Sequence, residues 1–236
     1  MTVDFASFAR ASTLIHSLQG GAFLLLGAAE LYTFKYPGRR AEIIGPLAML
    51  LAGALGLMTV IALPGGWSFG TLAAALAERS GFHLFIALSW LFAAAGLSRL
   101  MQQLSGRAGG PWQVFFLVFL TAIAAVYLLL AWRVNPEAWR AVLVPHAGIA
   151  AALLLAALAK LVYAFFGGRA LQLSWAFFIL ITAIQLLAYR EAASTFGMRT
   201  ETVQSGPGLT PEQEQEVLRI LNIKNAGATS KKRSGN

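Results

Sequence analysis

Cysteine is absent from this chain of 236 residues. That excludes disulfides, thiolate metal sites, iron–sulfur clusters and haem attached through Cys-x-x-Cys-His. Charge is also scarce: 12% of the residues are Asp, Glu, Lys or Arg, about half the roughly 25% of a soluble domain. Acid is the scarcer sign, with 10 residues against 18 basic ones. Histidine occurs only three times, as His16, His83 and His146. No HExxH zinc motif, His-rich hydroxylase box or Ser-His-Asp set can be built from these three, and no nucleotide-binding glycine loop is present. The balance is against an autonomous enzyme.

What fills the chain instead is apolar side chain, 58% of all residues. Apolar runs of about 18 residues or more read as membrane spans, and six occur, at about 11–33, 43–63, 80–101, 112–132, 142–163 and 171–190. The first has no basic leader and no small-residue cleavage site, so it reads as a retained helix and not a removed signal peptide. The expected class is an all-α integral membrane protein with six transmembrane helices.

An internal repeat organises these spans. His16 leads to Gly38-Arg39, His83 to Gly106-Arg107 and His146 to Gly168-Arg169, a spacing of 22 or 23 residues to each glycine at a period near 65. Recurrence at a fixed period is the mark of duplicated units. Three helical hairpins follow: 1–66, 67–134 and 135–195, each preceded by a short interfacial segment (Val3 to Arg10, Thr71 to Arg79, Asn135 to Arg140). The second spans of the last two units share wording, Trp112…Phe115-Phe116…Thr121-Ala122-Ile123 against Trp175…Phe177-Phe178…Thr182-Ala183-Ile184. Three hairpins around a pseudo-threefold axis are the expected arrangement, with a linear row of hairpins as the alternative. The mitochondrial carriers also have six spans in three repeats, but their proline–acid–basic signature closing each odd helix is missing here. Residues 196–236 are a flexible tail. Within it Thr210-Pro211-Glu212-Gln213 reads as a helix start, opening a short amphipathic helix at about 211–224 that can dock on a partner or rest on the membrane.

Basic residues in the connections set the expected orientation. The loops after spans one, three and five are assigned Lys35, Arg39, Arg40, Arg99, Arg107, Lys160 and Arg169, against Glu30 and Glu42. The other side is nearly balanced. The Gly-Arg loops are accordingly placed in the cytoplasm and both termini outside, in a membrane expected to be the bacterial cytoplasmic one. Trp67, Trp132 and Trp139 would mark the outer interface, Trp112 and Trp175 the inner one. The net charge of +8 points to anionic lipid headgroups, contacted by Arg39, Arg107 and Arg169, and not to nucleic acid.

Each histidine lies near the start of an odd-numbered span, and an ionisable side chain there is a functional candidate by default. As cofactor ligands, His16, His83 and His146 admit three chemistries. Three converging imidazoles suit copper or zinc. Two on facing helices suit the axial positions of a haem iron. One per hairpin suits the magnesium of separate chlorophyll-type pigments. The plain alternative is interfacial residues bonded to lipid, water or backbone, with no cofactor at all. Glu30 and Lys160 each stand 14 residues after their histidine, roughly 21 Å further along a helix. They form an intramembrane ion pair on one reading; on the favoured one both snorkel to the interface. Gln185 is expected to bond across helices, and Gly20, Gly21, Gly53, Gly56, Ala147 and Gly148 to allow close helix approach.

The function expected from this pattern is a membrane subunit of a larger redox or light-harvesting complex, associated with other membrane-protein subunits. It would hold a haem, a chlorophyll-type pigment or copper through its histidines. The competing expectations are a structural or assembly subunit with no cofactor and a transporter of a metal ion or small solute.

Overall fold

The computed structural model describes residues 5–36, 38–78, 80–106, 110–131, 134, 138–190 and 195. The tail with its expected helix at 211–224, Asn135 to Glu137, Arg107 and the side chain of Arg39 lie outside the described residues.

Glycine punctuates a chain that is otherwise continuous helix. Helix α1 (Phe5–Lys35) stops before the connection to α2 (Arg39–Ala62), which Gly38 opens in extended backbone. Helix α4 (His83–Ser105) ends on Gly106 at φ 64°, and α5 (Pro111–Leu130) starts with proline at its first turn. There a missing N–H costs nothing and the ring's fixed φ suits the helix. Helix α6 (Trp139–Phe166) ends on Gly167 at φ 64°, and Gly168 at φ 99° opens α7 (Arg169–Ala188). These left-handed conformations are open to glycine at little steric cost. Each Gly-Arg pair therefore marks a turn between two spans, though at Gly106 the glycine closes the first helix while at Gly38 and Gly168 it opens the second.

Six of the seven helices among the described residues, all but α3 (Phe69–Glu78), are long and apolar enough to cross a membrane. No strand occurs among the described residues. The chain is an integral membrane protein. Among the described residues, the short segment expected before each hairpin is a separate helix in the second unit, where α3 and a 3-10 turn, Ser80–Phe82, precede α4. In the first, Phe5 to Arg10 run without a break into the span. Nothing between Phe5 and Lys35 is a proline, so no backbone hydrogen bond is lost along that stretch.

Each spanning helix packs on its neighbours in chain order, and α7 packs back on α1, so the six form a closed ring. Inward faces carry Phe8, Ile15, Phe23, Phe92, Phe116, Leu120, Leu153 and Ile179, all fully buried. Outward faces carry Leu25, Leu51, Trp90, Val118, Leu155 and Ile184, all exposed. In water such a surface would be an aggregation liability; in lipid it is the expected solvent-facing side. Association between helices then rests on van der Waals fit. At the α2–α4 contact a Cβ added to Gly53 would meet the Ser89 carbonyl oxygen at 2.6 Å, and one added to Gly96 the Leu50 nitrogen at 2.8 Å. These two helices touch through their backbones.

Candidate functional site

Two groups of buried polar side chains occupy the interior, near opposite ends of the ring. The first contains two of the three histidines. His16 lies 11 residues into α1 and His146 seven into α6, so each has a complete helical turn before it. That turn supplies an anchor: His16 Nδ1 donates to the Ser12 carbonyl and His146 Nδ1 to the Val142 carbonyl, each at 2.7 Å. A carbonyl oxygen only accepts, so in both rings the Nδ1 nitrogen carries the proton. The Nε2 atoms then present lone pairs, and they face each other 3.4 Å apart. Both histidines are buried.

Aromatic rings enclose the pair. Tyr189 stands with its ring centre 4.8 Å from each imidazole, Phe85 lies edge-on to His16 at 5.8 Å, and Tyr127 is 6.3 and 6.1 Å from the two. Tyr127 donates its hydroxyl to Gln19 Oε1 at 2.6 Å, one helical turn beyond His16. His83 does not join them. It is the first residue of α4, directly after the 3-10 turn, and its side chain is exposed. Among the described residues no third histidine, cysteine or carboxylate completes a metal-binding cluster, so the three-imidazole arrangement is not formed.

The second group lies roughly 21 Å further along α1. Glu30 accepts from Arg99 Nη2 at Oε1 and from Lys160 Nζ at Oε2, the latter at 3.3 Å. All three side chains are 90% or more buried, and neither Glu30 nor Lys160 snorkels. Arg99 and Lys160, assigned to loops from the sequence, are inside α4 and α6. The pairing continues: Arg99 Nη1 donates to Gln102 Oε1 at 2.7 Å, and Gln102 Nε2 to Gln113 Oε1 at 3.0 Å. Lys160 Nζ sits 5.2 Å from the centre of the Trp175 ring and 5.6 Å from that of Tyr163. Trp175 is fully buried and does not mark an interface. The group borders a cavity of about 660 Å³.

The remaining sequence candidates are placed simply. Arg169 lies over the Phe34 ring, 4.8 Å from its centre. Gln185 lacks a bond across helices at its buried Oε1 among the described residues. A Cβ at Gly21 would meet nothing within 4 Å, unlike Gly20 and Gly53. Arg99, Tyr127 and Tyr189 were not singled out from the sequence. Arg99 comes 16 residues after His83 rather than 14, which hid its correspondence with Glu30 and Lys160. The chain matches no protein-family model, no curated protein and no solved structure.

Proposed function

We propose that this protein is a membrane subunit of a redox complex that holds one metal centre between His16 and His146. The observation that carries the reading is the pair of facing Nε2 lone pairs, 3.4 Å apart, with both Nδ1 protons committed to helix carbonyls. Two acceptors aimed at each other repel unless something lies between them. A proton shared between them and a metal ion would each relieve this, and each brings charge into the span. A metal ion accepts both lone pairs at once. At metal–nitrogen bonds of 2.0–2.1 Å, two corners of a tetrahedron are about 3.3–3.4 Å apart, close to the observed separation.

Among the cofactors compatible with imidazole, a bare ion such as copper or zinc suits two nitrogens this close together under the surrounding rings, and the redox reading takes copper. A haem clamped axially would require Phe85, Tyr127 and Tyr189 to part and admit the macrocycle. Separate pigments, one per histidine, do not suit imidazoles that face each other. Copper when bound supplies one-electron chemistry. The chain's own contribution is to orient the two ligands through Ser12 and Val142, and to exclude water with the three aromatic rings. Gln19 and Tyr127 fix the next polar layer. The electron donor and acceptor, on this reading, are other subunits.

The test is metal analysis and an absorption spectrum of the detergent-purified protein after expression with copper and, separately, with a haem precursor. About one copper per chain is expected, lost in His16→Asn and His146→Asn and kept in His83→Asn. A Soret band lost in the same two variants would keep the centre and change its identity to haem. A colourless, metal-free wild type, or copper retained when both His16 and His146 are replaced, overturns the reading.

A further inference from the structure

We infer that the cavity beside Glu30, Arg99 and Lys160 is a binding site for a small oxyanion, a carboxylate or phosphate group, entering from the end of the ring that carries the Gly-Arg turns. The inference does not depend on the histidine pair.

Charge balance is the first argument. Two cations share a single carboxylate, so the buried triad carries an excess positive charge. Arg99 is 6% exposed, and its Nε finds no acceptor among the described residues. A buried guanidinium with an unmatched donor, beside an ammonium that has one anionic partner, is a strong incentive for a second anion. The other acid in the lining is Glu42, in the first turn of α2. It is only half-buried, and a half-solvated carboxylate offsets buried charge poorly.

The second argument comes from the helices that open on the cavity. Glu42, Gln113 and Gln172 all line it, and each lies in the first turn of its own helix: α2, α5 and α7. Three helix N-termini therefore border one space, each adding the partial positive charge of its macrodipole. The same end gathers Lys35, Arg39, Arg40, Arg107 and Arg169 by their places in the three connections. Such clustering concentrates anions at an entrance.

Size narrows the ligand. A cavity of about 660 Å³ falls within the range of pockets for small organic molecules and exceeds what inorganic phosphate fills. The site therefore suits an organic acid or phosphomonoester, or the headgroup of an anionic lipid reaching in from the rim. In each case the anionic group bonds Arg99 and Lys160, with Gln113 and Gln172 within the same wall.

Thermal unfolding of the full chain in neutral detergent tests the site, with succinate, glycerol phosphate or inorganic phosphate added against chloride at matched ionic strength. A raised midpoint with succinate or glycerol phosphate is expected. The concentration needed should increase roughly tenfold to a hundredfold in Arg99→Gln and Lys160→Gln, as for loss of a charged hydrogen bond. Arg99→Lys keeps the charge and the fold and should bind better than Arg99→Gln. His16→Asn should leave the response unchanged. If soluble anions are silent but phosphatidylglycerol nanodiscs stabilise the wild type more than phosphatidylcholine ones, and Arg99→Gln removes the difference, the oxyanion is a lipid headgroup. If neither source stabilises the wild type, or if the Arg99 and Lys160 variants respond as it does, the site does not exist.

Discussion

At the scale of single residues, the most consequential side chain is Glu30, because it is the only anion between two buried cations. Removing one partner of a buried ion pair costs about 3–5 kcal/mol, since the other charge is left uncompensated. The three members of this group are not equivalent in that respect. Lys160→Met leaves a one-to-one pair between Glu30 and Arg99. Glu30→Gln leaves two cations facing each other with no counter-charge. Glu30→Gln should therefore destabilise the protein more than Lys160→Met, by about 2 kcal/mol or more. Unfolding midpoints in detergent, read at equal protein and detergent concentrations, compare the two; equal losses would mean that Arg99 and Lys160 do not share the carboxylate. The sequence exposed this group only in part. Glu30 and Lys160 sit at matching offsets from their histidines, which drew attention to them. Nothing local indicated that their side chains turn inward, because snorkelling and pairing place the same residues at the same depth along a helix.

At the scale of the element, helix existence was plain from apolar run length, and all six spans emerge within a few residues of where the sequence put them at most ends. What run length does not report is where a helix begins relative to a histidine. His16 and His146 have a full turn of helix before them, and that turn's carbonyl holds each ring. His83 follows Ser80–Phe82, a 3-10 turn, and begins its helix. Equal spacing in sequence thus concealed unequal local structure, and one histidine of three left the site. The α2–α4 contact offers a test at this scale. Gly96→Ala would push a methyl group into the backbone of α2, with Leu50 N and Pro46 O both at 2.8 Å from the new Cβ. A loss of about 1–3 kcal/mol is expected. Gly21→Ala, in the middle of α1 with open space around it, should instead be neutral or stabilise by up to about 1 kcal/mol through helix propensity. The two variants differ by one methyl each, so opposite signs in their unfolding midpoints would isolate close packing from propensity.

At the scale of the whole molecule, the closed ring and the cavity beside its Glu30 group predict a pattern of chemical access. The chain has no cysteine, so any thiol introduced is the only one. Gln103 borders the cavity and Leu51 is exposed on the outer face of α2. A water-soluble, membrane-impermeant maleimide should label Gln103→Cys from the side of the Gly-Arg turns only, expected to be the cytoplasm and hence accessible in inverted vesicles. It should label Leu51→Cys from neither side until the protein is denatured. Labelling of Gln103→Cys in intact cells would reverse the orientation; labelling of Leu51→Cys would contradict a lipid-facing α2. The sequence indicated six spans and a bias of charge in the connections. A pseudo-threefold arrangement brings the last span beside the first and a linear one does not, and the repeat in the sequence alone does not choose between them.

Between the two polar groups α1 and α6 bury large apolar side chains. Phe23 stands seven residues from both His16 and Glu30, Leu153 seven from both His146 and Lys160, and both are fully buried. The Phe23 ring meets that of Phe92 at 4.9 Å. The Phe23–Phe92 pair and Leu153 thus stand as an apolar partition between the Glu30 group and the facing histidines, so a substitution in one group should reach the other through packing alone.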